Sequence, residues 1–168
     1  MDEHRLGLIP ILRTVWAPSG ARPTAPMRRR YEWLWVVAFV HPATGRTSWW
    51  LLPVLTAPAF TRVLQAFAKE QCLSATKRIL LVLDGAGWHT GAVPQAPAEL
   101  ELLIQPPYSP EVQPAEHLWP LVDEEVANRA FETLHELDQV IGQRCVQLTE
   151  QPERIRTTTR FHWWPDDP

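Results

Sequence analysis

Four acids and two histidines in this sequence occupy positions where chemistry could be done. Asp84 ends the apolar run Arg78-Ile79-Leu80-Leu81-Val82-Leu83 and is followed by Gly85 and Gly87. In open α/β sheets, ligands bind at the carboxyl ends of the strands. Glycines there leave the backbone uncluttered. A carboxylate at that place offers Mg²⁺ a hard oxygen ligand; a turn or helix-capping aspartate is the alternative reading. Glu116 follows residues 106–114, which hold four prolines. It falls at or near a helix start, where the dipole favours an acid, so capping alone would explain it. Asp2 and Glu3 stand at the beginning of the sequence, where acids are ordinarily just solvated. His89 and His117 lie close in sequence to Asp84 and Glu116. A two-metal centre needs several carboxylates converging from rigid elements. Spacing alone does not establish that convergence.

The elements that must position these residues are partly readable. Residues 31–40, rich in aromatic and β-branched side chains, predict a strand whose apolar end is buried on both faces. The turn-forming His41-Pro42-Ala43-Thr44-Gly45 and a second strand over 46–55 complete an antiparallel hairpin. Thr56 is placed to cap a helix with Pro58 in its first turn. Phe60, Val63, Leu64 and Phe67 share that helix's apolar face. Residues 78–84 predict a buried central strand, and Leu100–Ile104 a further one that stops at Pro106-Pro107. Helical spacing returns at Leu118, Val122, Val126 and Ala130. Thr133 and Glu136 form a capping box that opens another helix, with Leu134, Leu137, Ile141, Cys145 and Leu148 on its apolar face. Residues 3–27 and the tail from Gln151 have little pattern. Hairpin, helix, strand, strand, helices is an α/β order with a mixed sheet.

Composition narrows the class. The 168 residues are 45% hydrophobic and 21% charged, which suits one globular domain rather than a disordered chain. No run of about 18 apolar residues suggests a membrane span. Cys72 and Cys145 belong to no C-x-x-C pair, so neither a disulfide framework nor an all-cysteine zinc site is expected, and a cytoplasmic location is the default. The six histidines lack zinc-ligand spacing. No nucleophile elbow, Walker loop or dinucleotide fingerprint is present. Net charge is −3, but residues 1–98 carry +6 and residues 99–168 carry −9. Fourteen of the sixteen basic residues are arginine, densest at Arg28-Arg29-Arg30. The guanidinium fork matches phosphate oxygens, so this run is a candidate DNA-backbone contact; a solvated loop is the alternative. The tryptophans of the strand patterns, Trp33, Trp35, Trp49 and Trp50, read as packing residues.

Three phrases extend this reading: Asp2-Glu3 followed by Arg13-Thr14-Val15-Trp16-Ala17-Pro18-Ser19-Gly20-Ala21-Arg22-Pro23; Leu81-Val82-Leu83-Asp84-Gly85-Ala86-Gly87-Trp88-His89; and Pro106-Pro107-Tyr108-Ser109-Pro110-Glu111-Val112-Gln113-Pro114-Ala115-Glu116-His117-Leu118-Trp119. In this order they resemble the catalytic domain of bacterial insertion-sequence transposases of the mariner-related DDE superfamily. The resemblance covers nearly the whole chain. It implies an RNase H-like fold, a mixed sheet flanked by helices. It also implies metal-dependent cleavage and strand transfer of DNA, with Asp2, Asp84 and Glu116 as catalytic acids and metal ligands. Two Mg²⁺ or Mn²⁺ ions would stabilise the attacking and leaving oxygens of the phosphodiester.

The partners implied are DNA, as transposon ends and target, and no membrane; a helix-turn-helix segment from an upstream frame and a homodimer are compatible with it. The location implied is the bacterial cytoplasm, at the nucleoid when DNA-bound. Residues 1–168 are read as one catalytic domain without the family's N-terminal helix-turn-helix region. Asp2 is preceded only by Met1, so a truncated first strand and little strand-transfer activity are expected. An inactive remnant with weak, non-specific DNA binding is the competing reading. Gln113 replaces the family's usual asparagine, Asp123 its common lysine, and Pro120 falls soon after Glu116.

Overall fold

A computed structural model describes residues 1–27, 30–90, 95–107, 109 and 112–162. Strands β1 (Asp2–Gly7), β2 (Trp33–His41) and β3 (Arg46–Leu52) form an antiparallel sheet in the order β1-β2-β3. Helix α1 (Ala57–Glu70) leads to β4 (Ile79–Leu83), the short α2 (Gly87–Thr90) and β5 (Leu100–Ile104). Strands β4 and β5 pair in parallel. The Met1 amino group donates to the Val82 carbonyl at 2.7 Å, which sets β1 beside β4. A 3₁₀ helix (Pro114–Leu118) runs into α3 (Trp119–Asp123), and α4 (Leu134–Thr149) and α5 (Pro152–Thr159) follow.

The alternation of β2 builds two cores. Leu34, Val36 and Ala38 point to one face and meet Leu118, Val122, Leu137, Ile141, Leu148 and Ile155 of the later helices. Val37 and Phe39 point to the other and meet Phe60, Val63, Leu64 and Phe67 of α1, with Leu81 and Leu83 of β4. Successive side chains of a strand face opposite sides, so a sheet covered on both faces needs a continuous apolar strand. Residues 34–39 supply it.

The capping residues act as expected. Thr56 accepts from the Ala59 amide at 3.3 Å, and Thr133 with Glu136 forms a full capping box. Boundaries move where proline intervenes: β3 ends at Leu52, before Pro53. Pro120 sits in the first turn of α3, where a missing N–H costs nothing. The helical spacing through Ala130 is not one helix. α3 stops at Asp123, and Asn128 takes a left-handed conformation, φ 59°. Its amide donates to the Ile11 carbonyl at 2.8 Å, so the segment after β1 takes the bond that a continuing helix would use.

Two parts of the chain differ from the sequence expectation. The strand that carries Asp2 is well formed rather than nearly absent: it occupies six positions, Asp2–Gly7, each paired with β2. The expectation counted residues before Asp2, whereas the pairing with β2 runs from Asp2 onward. Met1 is buried rather than frayed. The tail also forms a helix, α5, opened by Pro152 and anchored by the buried Ile155 and Thr159. Two buried positions are too few to show a period in the sequence. α5 docks on the β2–β3 turn, where Gly45 has φ 69° and a Cβ would fall 1.8 Å from the Pro152 carbonyl oxygen. Among the described residues, no helix is long and apolar enough to cross a membrane.

Candidate metal centre

Asp84 directly follows β4, in the middle of the fold. Asp2 is the first residue of β1, which lies beside β4. Glu116 is in the first turn of the 3₁₀ helix, which packs against β2. Chain positions 2, 84 and 116 thereby line one cleft of about 620 Å³, together with Gly85, Gln105, Ser109 and Gln113. The charged described residues lining it are all acidic.

Each acid has a different environment. The Trp119 indole N–H donates to Asp2 Oδ2 at 2.6 Å. Trp119 in turn stacks on His4, ring centroids 5.0 Å apart. Burial pushes the Asp2 carboxyl up to about 6, with the charges of Glu3 and Glu116 adding to the rise; the bonds from Trp119 and the Glu3 backbone oppose it. Glu116 is exposed. Asp84 is half-exposed, and its Oδ1 takes two contacts: the Ala86 amide at 3.0 Å and His89 Nδ1 at 2.8 Å. No hydrogen bond among the described residues uses its Oδ2.

His89 is buried, and both ring nitrogens face acids. Nδ1 also lies 3.0 Å from the Asp84 backbone carbonyl, which can only accept, so Nδ1 carries a proton. Nε2 lies 2.8 Å from Glu3 Oε1, whose side chain is 3% exposed. Burial disfavours a charged ring, but the hydrogen bond and charge of Glu3, with the carbonyl and carboxylate of Asp84, outweigh it and raise the His89 pKa. Glu3, Asp84 and His89 offer ligand-type atoms within 4.8 Å of one another. The ring spends its two nitrogens on different acids, so it bridges them rather than chelating with them.

Gln113 is 3% exposed and donates from Nε2 to the Met1 carbonyl at 2.8 Å, tying the 3₁₀ helix to β1. Its Oε1 is buried without a partner. Asp123 is also buried and accepts from Arg13 at 3.1 Å while meeting His4 Nε2 at 3.0 Å.

Of the basic run, Arg28 and Arg29 lie outside the described residues. Arg30 is occupied within the protein, donating to the Glu132 carbonyl at 2.7 Å and pairing with Glu32. His117 is exposed, with its ring edge-on to Phe161. In the sequence Glu3 and His89 were noted only as neighbours of Asp2 and Asp84, with no role in the catalytic set, and Trp119 only as the end of a family phrase. The one available signal was the adjacency of Glu3 to Asp2 and of His89 to the Asp84 loop.

The donor set fits a divalent cation. Carboxylate oxygens are hard ligands, and mutual repulsion of Asp2 with Glu3 and Glu116 contributes to the raised Asp2 pKa. A cation in the cleft would relieve it.

Comparisons with known proteins identify the family and the fold. A family model described as DDE superfamily endonuclease matches residues 1–138. The uncharacterized protein y4pE/y4sA of Sinorhizobium fredii is 27% identical over 135 residues, covering 78% of this chain and 96% of that protein. Among solved structures, the Mos1 mariner paired end complex with Mn matches with a TM-score of 0.60 at 16% identity. The Mos1 paired end complex with Mg matches at 0.58 and 17%, and the pre-cleavage Mos1 transpososome at 0.57 and 15%. Each alignment covers 95% of this chain and 55% of the Mos1 chain, so this chain spans about half the length of those it matches. At these identities the likeness is one of fold, an RNase H-like mixed α/β domain.

Proposed function

Because the chain belongs to the DDE superfamily endonuclease family, we propose that it is the catalytic domain of an insertion-sequence transposase, cutting and joining DNA at the cleft of Asp2, Asp84 and Glu116. The observation that supports this most is the meeting of three acids, far apart in sequence, in one acidic cleft. Mos1, similar in fold, is described in complex with Mn, with Mg and with a transposon end.

Asp2, Asp84 and Glu116 would hold two Mg²⁺ or Mn²⁺ ions. Bound there, the ions would supply charge stabilisation to the attacking and leaving oxygens of a phosphodiester. The chain's own residues do the positioning. Trp119 fixes one oxygen of Asp2, and the Ala86 amide and His89 fix one oxygen of Asp84. The exposed Glu116 completes the set from the 3₁₀ helix. Gln113 holds the Glu116 turn against β1. None of these acids reads a base, so recognition of element ends falls to other residues or to a separate helix-turn-helix segment. Arg28 and Arg29 are proposed to meet DNA phosphates, with Arg30 joining them on release from Glu32 and the Glu132 carbonyl. A homodimer would bring two ends together.

The test uses the full chain with supercoiled DNA carrying both sequences that flank its own reading frame. Mn²⁺- or Mg²⁺-dependent nicking is expected. Asp84→Ala and Glu116→Ala should abolish it while leaving DNA binding within about threefold, because neither removes a phosphate-binding arginine. Unchanged nicking by Asp84→Ala would overturn the proposal.

A further inference from the structure

The buried pair Glu3 and His89 does not line the cleft, yet it reaches the cleft through Asp84. His89 is 4% exposed and its side chain is closed off from solvent. Its Nδ1 meets Asp84 twice, at the carboxylate and at the backbone carbonyl, so it fixes the side chain relative to the end of β4. Its Nε2 is held by Glu3, which belongs to β1 and sits next to Asp2. Phe60 of α1 packs on the ring, centroids 4.6 Å apart.

The geometry points to His89 as a positioning residue that orients Asp84 for divalent-metal binding, with Glu3 as the anchor that holds the imidazole. The inference rests on the reading of Asp84 as a metal ligand. Three features carry it. Asp84 is half-exposed and follows the strand, so nothing in the strand ladder orders its carboxylate. His89 and Ala86 together pin Oδ1, which leaves Oδ2 for a metal. The anchor comes from β1, so the Glu3–His89 link sets the spacing between the strand that bears Asp2 and the loop that bears Asp84. Partners that orient a ligand in this way commonly change metal affinity by about 10–100-fold when removed.

The test avoids leaving Glu3 as an unpaired buried charge, which would unfold the domain for an unrelated reason. Both variants therefore carry Glu3→Gln. An asparagine amide sits where the histidine Nδ1 sits, so Glu3→Gln/His89→Asn keeps the donor to Asp84. Glu3→Gln/His89→Leu removes it and keeps the volume. Mn²⁺ affinity is measured by calorimetry with MnCl₂ alone, and folding by circular dichroism. The asparagine variant is expected to bind within about threefold of Glu3→Gln, and the leucine variant about tenfold or more weakly. Equal Mn²⁺ affinity of the two folded variants would overturn the inference. Asp84→Ala separates the layers: if it binds Mn²⁺ like the unaltered chain, the metal reading of Asp84 itself fails. If it loses Mn²⁺ while the leucine variant keeps it, only the role of His89 fails. The unaltered protein gives an answer independent of any variant's folding. With ¹⁵N-labelled histidine, His89 Nδ1 should shift on Mg²⁺ addition with the midpoint of binding; a resonance that stays fixed at saturating Mg²⁺ would also overturn the inference.

Discussion

The indole of Trp119 donates a 2.6 Å hydrogen bond to the carboxylate of Asp2, joining the first strand to the helix that follows Glu116. Trp119 is three residues beyond Glu116, so the turn that presents one acid also orients another.

Trp119→Phe keeps an aromatic ring to stack on His4 but removes the indole N–H donor. Loss of a hydrogen bond to a charged group should cost about 1.5–3 kcal/mol, less whatever water recovers. The Asp2 carboxyl should also titrate higher, since the bond from Trp119 holds it down. Urea denaturation at pH 7 checks the first effect. Stability equal to that of the unaltered chain would show that the bond contributes nothing.

The pH dependence of stability follows from Asp2. Its carboxyl lies near 6 in the folded chain and near 3.8 when unfolded. Between these values the folded chain holds a proton that the unfolded chain has released. The resulting stability is fully present below about pH 4 and is lost as pH rises through 6. A two-unit shift amounts to about 3 kcal/mol at most. His89 is raised above its usual value, so the stability it contributes is lost only above that window. Denaturation at pH 4.5 and 6 in the absence of metal should show the fall, and Asp2→Asn should flatten it. An equal slope in both proteins would contradict the assignment.

Asp123 anchors the segment after β1. Asp123→Asn weakens its contacts with Arg13 and His4, for an expected loss of about 1–3 kcal/mol. The freed guanidinium should also become a better trypsin site, so cleavage after Arg13 should accelerate several-fold. Unchanged proteolysis would show that Arg13 is held by its other partners, the Pro120 carbonyl and Asn128.

Gly45→Ala tests the docking of α5. The position needs positive φ and has no room for a methyl group beside Pro152. Strain and the clash should together cost more than about 1 kcal/mol, read as a lower melting temperature. A neutral change would mean that α5 moves freely from the turn.

The sequence was most legible where one physical requirement dominated. The continuous apolar stretch of β2 and the Thr133–Glu136 box each admitted one reading. Asp84 was placed by the strand before it. The role of Asp2 came from resemblance alone, because its strand, Asp2–Gly7, is polar at four of six positions. Its order comes from pairing with β2, a partner about 30 residues away. α5 was hidden for a similar reason, since only Ile155 and Thr159 are buried. The Glu3–His89 and Trp119–Asp2 contacts span more than 80 residues, and no local pattern encodes them.

The central claim is that Asp2, Asp84 and Glu116 together form one divalent-metal site. Anomalous scattering from a crystal of the full chain grown with MnCl₂ tests it most directly. Manganese peaks in the cleft, with carboxylate oxygens of all three acids at ligand distance, are the predicted result. Manganese bound elsewhere, or bound in the cleft with Asp84 or Glu116 turned away from it, would contradict the account.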